Sequence, residues 1–515
     1  MTAQERLELK NKVLKTFVVT VREINKFGGP EEFFKKYPVC AMYYYPDSDP
    51  NADGWKSTGV LGTPAYLKAC RENSSEPLLV CTDGASIPGQ KCGVDIRSLG
   101  GTGREEDAYH VGRIIGMQCN AADMDWTLQP AIDMYYNSSM PFTAMSGNVE
   151  VTAKMYRQMV KGIQEQGVCA TVKHFPGLGT SNTNMHHAPG ANILPFDEWM
   201  DSYGYVYKQM IEEDVFSVMS THTMLKSFDP DTHDGFLPIA TFSKKLTQDL
   251  LKEKLGFHGA VVTDALIMGG MATGDLVAET VQAFKCGADF LLWPPMEAAD
   301  VIVDQLESGE IPMSRLEDAL SRIERMRAFR AKALAEKKYD EPDPVYATNV
   351  SEDIIRRGVC LYKNELGLIP ISKETGKILI LDAAKGKPSE LLVEELRNRG
   401  FEVDITDDIY DHGFYVCWQD EIDAISAKYD LVILSANPGV TDDTHNSLFM
   451  MIWASHLFSK KKKIVINYGK PFVTLNYFPE ELTLIEANAG PGKEVIKAIA
   501  DGLVGDMEFT GQFVL

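Results

Sequence analysis

Along the first 330 residues, short apolar runs end in a polar or charged residue, and each is followed by a loop and an amphipathic stretch. Residues 5–37 carry the spacing Leu14, Phe17, Val18, Val21, Ile24, which predicts a helix. Residues 38–45 are a β-rich run, 46–59 read as a loop, and 63–74 as a helix opened by Pro64. The run 77–82 then stops at Asp83, and 126–132 stops at Asp133. Residues 169–172 stop at Lys173-His174, 215–220 stop near His222, and 260–263 stop at Asp264. A last run, 289–293, is stopped by Pro294-Pro295. Helical patterns fall between the runs at 105–120, 149–165, 197–213, 244–255 (with Ser243 as N-cap), 275–286 and 295–332.

Repeated strand, loop and helix implies parallel strands, hence an α/β fold. About 300 residues suit a (β/α)8 barrel, and polar residues at strand ends suit its catalytic rim. A doubly wound open sheet is the competing fold, but no strand-linked GxGxxG supports a dinucleotide. Gly100-Gly101-Thr102-Gly103 precedes the acidic stretch Arg104-Glu105-Glu106-Asp107, which would repel phosphate, so it reads as a turn and cap. The expected organisation is a barrel over 1–335, a charged, proline-bearing linker over 336–350, and an αβα sandwich over 351–515. In the sandwich, a helix at 351–358 precedes strands at 377–381, 403–405, 431–435, 463–467 and 484–487. Helices are expected at 387–399, 419–428, 445–458 and 492–503. Loops with Tyr410-Asp411-His412 or Asp442-Asp443-Thr444-His445 read as solvated charge or as reaching toward a site on the barrel.

The chain has 515 residues and a formal net charge of -22, which opposes nucleic acid or an anionic membrane as main partner. No apolar run approaches a membrane span, and the N-terminus lacks a secretory h-region, so a cytoplasmic location is expected. The 9 cysteines are scattered, with no CxxC pair, and read as reduced thiols rather than as a zinc site. No metal or cofactor is expected, and the pattern does not fix the oligomeric state.

Asp264 closes a buried strand, where a carboxylate is costly unless used. Alone, it reads equally as a helix N-cap. The stretch Lys173-His174-Phe175-Pro176-Gly177-Leu178-Gly179 shifts that balance, and the long loop after it holds Asn182, Asn184, His186 and His187. KHFPGLG, ATFSKKLTQDLLKEKLGFHGAVVTDALIMGGM and AFKCGADFLLWP resemble the N-terminal barrel of glycoside hydrolase family 3, most of all its bacterial β-N-acetylglucosaminidase branch. The 77–83 run and MDWTLQPAID at 124–133 extend the likeness over most of 70–330. The resemblance implies a TIM-like barrel, a C-terminal αβα sandwich and a small carbohydrate substrate.

Carried over residue by residue, the resemblance makes Asp264 the nucleophile of a retaining exo-β-glycosidase and His186 the acid/base. Asp83, Lys173, His174, Asn184, His222 and Met268 would bind or frame the sugar. His187 remains an alternative to His186. Four departures stand out: Asn184 replaces the family aspartate two residues before the catalytic histidine, and Leu178 replaces a histidine. Ala144-Met145-Ser146-Gly147 stands where the family has an Arg-Ser-Phe-Gly segment, and Gly84-Ala85-Ser86-Ile87 where it has Gln-Glu-Gly-Gly. Terminal N-acetyl-β-D-glucosaminides are the expected substrate. A glycoside phosphorylase, a β-glucosidase and a catalytically impaired sugar-binding protein are the alternatives.

Overall fold

The computed structural model describes residues 1–46, 61–62, 64–83, 94–136, 144–181, 183–232, 235–271, 273–384, 387–406, 419–437, 458 and 462–515. Asn182, the Gly84 to Ile87 segment, both loops read as solvated charge and nearly all of the helix expected at 445–458 lie outside the described residues. The chain forms two compact units, neither continuous in sequence. The first comprises Met1–Cys92, Ala108–Ala144 and Thr152–Ala347; the second comprises Gly93–Asp107, Met145–Val151 and Thr348–Leu515.

The first unit is a parallel barrel of eight strands. These are β1 (Phe17–Thr20), β2 (Ala41–Tyr43), β3 (Leu79–Thr82), β4 (Trp126–Thr127), β5 (Cys169–Phe175), β6 (Ser217–Ser220), β7 (Ala260–Thr263) and β8 (Leu291–Leu292). They pair in the order β7-β6-β5-β4-β3-β2-β1-β8, and a parallel bridge from Val262 to Phe290 brings the two ends together. Val18, Cys81, Trp126, Cys169, Val262 and Phe290 belong to the same buried apolar cluster. Trp126 donates its Nε1 hydrogen to Thr171 Oγ1 at 2.5 Å, and its ring lies 5.0 Å from that of Phe290. The residues leading into β4 and β8 carry buried carboxylates. Asp125 pairs with Arg330 and accepts from Val80 N, while Asp289 pairs with Lys252 and accepts from Val261 N.

β1 falls inside the stretch read as one helix. Residues 5–37 are instead a helix at Ala3–Leu14, then β1, then helices at Val21–Lys26 and Pro30–Lys36. All four residues of β1 are buried, so the strand shows no alternation, and its apolar positions mimic helical spacing. Thr20 ends the strand and caps the next helix by accepting from Glu23 N at 3.1 Å. The single helix expected at 295–332 is also two, Ala298–Ser308 and Met313–Glu336. Gly309 closes the first at φ +81° and Pro312 precedes the second.

The second unit is built on a six-stranded mixed sheet. Its strands are β9 (Cys360–Asn364), β10 (Ile378–Ala383), β11 (Val403–Thr406), β12 (Leu431–Ala436), β13 (Lys463–Asn467) and β14 (Thr483–Glu486). Their order is β9-β14-β13-β12-β10-β11, with β9 antiparallel to β14 and the rest parallel. Ile378, Ile380, Ile433, Ile464 and Ile466 fill one apolar cluster, and Leu379, Leu381, Val432, Leu434 and Val465 another. Successive residues of each strand enter different clusters, as they must when both faces of a sheet are covered. β9 is absent from the sequence expectation because only Cys360 of its five residues is buried. Its register against β14 also shifts between Leu361 and Lys363.

The glycines at 100–103 do not form a simple turn. They close a short helix, Ile96–Thr102, capped by Asp95 and ended by Gly103 at φ +61°. A Cβ on Gly100 would stand 2.2 Å from Met145 O, and one on Gly101 2.5 Å from Gly358 O. Glycine is therefore required by close backbone approach inside the second unit, not by a phosphate. A helix at Pro344–Gly358 runs through the second half of the stretch read as a linker.

Candidate functional site

The C-terminal ends of β3 to β7 present the polar residues picked out in the sequence. Asp264 follows β7, and its backbone N–H donates to Ser220 O at 2.9 Å. No helix starts there. The next helix begins at Leu276, and its cap is Asp275, which accepts from Ala278 N. The N-cap reading of Asp264 therefore has no helix to cap. One carboxylate oxygen accepts from Ala265 N at 2.8 Å, and the other from Thr221 Oγ1 at 2.9 Å. Burial pushes its pKa up, but His222, His174, Lys173 and the Ala265 amide together hold it below the ordinary carboxylate value. Asp264 is thus ionised at neutral pH and fixed in orientation.

Lys173 and His174, at the end of β5, are each held by a carboxylate from another strand end. Lys173 Nζ lies 2.6 Å from Asp83 Oδ1, and His174 Nδ1 lies 2.7 Å from Asp133 Oδ2. Asp133 is fully buried and also accepts from Leu178 N at 2.7 Å, tying the turn after β5 to the barrel. That turn depends on Gly177, at φ +107°, where a Cβ would lie 2.4 Å from the Tyr203 ring. Tyr203 Oη accepts from Gly179 N at 2.8 Å. Leu178 is in the barrel's apolar cluster.

The loop after this turn carries Asn184 and His186. Asn184 Oδ1 lies 2.8 Å from His186 Nδ1 and also accepts from His186 N at 3.0 Å. The His186 ring is exposed. The loop is fastened to the Asp264 loop through the backbone, Gly269 N donating to His186 O at 3.0 Å. A Cβ on Gly270 would stand 2.3 Å from Met185 O, so the two loops lie in direct contact. Residues Gly190–Asn192 pair in parallel with Thr223–Leu225, anchoring the loop's far end beyond β6.

His222 and Met268 take different places. His222 is fully buried, with Nδ1 2.9 Å from Thr241 Oγ1 and Nε2 3.2 Å from Ala265 O. Burial lowers its pKa, against the raising field of Asp264. A neutral ring that donates from Nε2 and accepts at Nδ1 satisfies both contacts and leaves no nitrogen for a sugar. Met268 packs in the barrel cluster. Thr221, which the sequence reading passed over, joins Asp264 to Met185, whose Sδ is 2.7 Å from its hydroxyl. Asp133 was legible as a strand end, though not as the partner of His174. Ser146, in the segment where the resemblance leads one to look for an arginine, donates to Val514 O at 2.8 Å within the second unit. Among the described residues, no group of three or more His, Cys, Asp or Glu side chains could hold a metal ion.

A parallel barrel with an oriented carboxylate, a held lysine, a held histidine and a histidine-bearing loop on its C-terminal rim has the plan of a barrel enzyme. Residues 87–326 match the glycosyl hydrolase family 3 N terminal domain. A β-N-acetylglucosaminidase/β-glucosidase of Cellulomonas fimi is 28% identical over 309 residues, covering 56% of this chain and 54% of that protein. A β-hexosaminidase of Methylobacillus flagellatus is 26% identical over 246 residues, covering 47% of this chain and 67% of its own length. The chain thus spans about half the length of the first of these relatives. Among solved structures, the β-glucoside phosphorylase BglX superposes with a TM-score of 0.79 at 20% identity, covering 100% of this chain and 96% of that one. A glycoside hydrolase family 3 β-N-acetylglucosaminidase from Paenibacillus sp. str. FPU-7 superposes with a TM-score of 0.77 at 22% identity, covering 98% of each chain. At these identities the superpositions establish the two-domain fold. No helix among the described residues is long and apolar enough to cross a membrane.

Proposed function

We propose that the chain is a cytoplasmic retaining exo-β-glycosidase acting on terminal N-acetyl-β-D-glucosaminides. The observation that carries this reading is the setting of Asp264: ionised, gripped by Thr221 and Ala265, and adjoined by the His186 loop. Asp264 attacks the anomeric carbon as the bond to the leaving oxygen breaks. The His186 imidazolium gives that oxygen a proton. The neutral ring then takes a proton from water as the water oxygen displaces the Asp264 ester, so configuration is retained. Lys173, His174 and Asp83 bind ring hydroxyls. His222 is a positioning residue that holds Ala265, and Met268 packs in the barrel's apolar cluster. The similarity to a β-N-acetylglucosaminidase/β-glucosidase of Cellulomonas fimi and a β-hexosaminidase of Methylobacillus flagellatus supports this substrate.

Phosphorolysis is a second reading. Asn184 is neutral where a carboxylate would repel an incoming phosphate, and BglX, which shares the fold, is a β-glucoside phosphorylase. The test is turnover of aryl N-acetyl-β-glucosaminide and aryl β-glucoside, each with and without phosphate. Free sugar from the first substrate is the expected product. A sugar phosphate replaces the hydrolase reading, turnover of the glucoside alone changes the substrate, and binding without turnover makes the chain a sugar-binding protein.

A further inference from the structure

Next to the Asp264 loop, the rim of the first unit holds a recess of about 320 Å³. It lies where β8 meets β7 and β1. Leu266 N donates to Leu292 O at 3.0 Å, so the residues that follow each, Ile267 and Trp293, lie side by side in the loops after β7 and β8. Both line the recess, with Pro295, Thr20, Arg22 and Lys26. Ile267 is three residues past Asp264 and is 61% exposed, a large apolar side chain left in solvent on the nucleophile loop. Trp293 takes φ +65°, a conformation bulky L-residues rarely adopt and one that gathers at ligand clamps. Its ring packs edge-on against Tyr43, centroids 5.3 Å apart.

The charges of the recess are unequal. Lys26 pairs with Glu23 at 3.5 Å, which also lines it. Arg22 makes no hydrogen bond or ion pair to a described residue, although the chain carries 73 acidic against 51 basic residues. An uncommitted guanidinium beside an exposed apolar wall suits a ligand with a flat apolar face and one carboxylate.

We propose that this recess is the aglycone subsite, taking a leaving group whose ring lies on Ile267 and Trp293 and whose carboxylate pairs with Arg22. The proposal rests on the glycosidase reading. The test compares kcat/KM for aryl N-acetyl-β-glucosaminides with a neutral ring and with a carboxylate-bearing ring matched in phenol pKa. The expected result is a preference for the carboxylated aglycone of about fivefold, the scale of an exposed ion pair. Arg22→Glu should abolish that preference while leaving the neutral substrate unchanged; Arg22 is a surface residue, so this variant retains the fold. Trp293→Leu should raise KM for both aryl substrates but leave a glycosyl fluoride, which has no ring to stack, unaffected. Equal kcat/KM for the two aglycones in the unaltered protein, or an equal loss on both with Arg22→Glu, overturns the subsite. Failure of the neutral aryl glycoside and the fluoride to react at all marks instead the failure of the glycosidase reading.

Discussion

Asn184 Oδ1 faces His186 Nδ1 at 2.8 Å, and the same oxygen holds the His186 backbone N–H. One amide therefore fixes both the ring and the peptide of the proposed acid/base. As Asn184 Oδ1 accepts, Nδ1 carries the hydrogen, leaving Nε2 to exchange a proton with the leaving oxygen. Asn184→Asp adds a negative charge at the same distance, which favours the imidazolium form of the ring. The basic limb of the pH–rate profile should move up accordingly. An unmoved limb would separate Asn184 from the acid/base.

Asp264→Ala removes the proposed nucleophile but leaves the Lys173–Asp83 and His174–Asp133 pairs in place. Turnover should fall by about 10⁴ while calorimetry still detects sugar binding. Full activity in this variant would remove Asp264 from the chemistry.

Gly270→Ala probes the contact between the two loops. The new Cβ meets Met185 O at 2.3 Å, and a backbone carbonyl does not yield as a side chain does. The histidine loop must shift, at a cost of roughly 1–3 kcal/mol in thermal or denaturant stability. Substrates with poor leaving groups should slow far more than activated aryl glycosides, which need little protonation. An equal effect on both would mean that the loop supplies no proton.

Glu486 gives the second unit a pH dependence. Its buried carboxylate accepts from Thr474 Oγ1 at 2.6 Å and from Asn467 Nδ2 at 3.0 Å. Burial nevertheless pushes its pKa up from 4.5 to about 7. An acid raised in the folded state keeps its proton after the unfolded chain has released it. The contribution of Glu486 to stability is therefore full below pH 4.5, falls between 4.5 and 7, and is absent above. The loss over that window is about 3 kcal/mol. Glu486→Gln should flatten this part of the curve in urea titrations of the whole chain. An unchanged slope would place the carboxylate in water.

The strand ends at Asp83, Asp133, Lys173 and Asp264 were readable because apolar runs stop there at charged groups. Pairings were not. Nothing in the order of residues tells that Asp133 meets His174, or that Thr221 bridges Met185 and Asp264, since those contacts cross between strands of the closed barrel. His222 lies just past a strand end in the sequence, but its contacts to Thr241 and Ala265 hold the ring inside the protein. β1 and β9 escaped for opposite reasons. One is buried on both faces and mimics a helix, and the other is a half-exposed edge with too few buried positions to show a period.

The discontinuous second unit bears on synthesis. Asp107 and Arg357 form a two-pronged ion pair at 2.7 and 2.8 Å across a sequence separation of 250 residues. Helix Ile96–Thr102 therefore leaves the ribosome long before the sheet it joins exists. At about 5–20 residues per second, it waits on the order of ten seconds or more. During that interval the small-residue face at Gly100 and Gly101, shaped to meet Met145 and Gly358, has only part of its destination. A nascent chain stalled before residue 348 should thus hold a segment that chaperones grip and proteases find, even with every barrel strand already made.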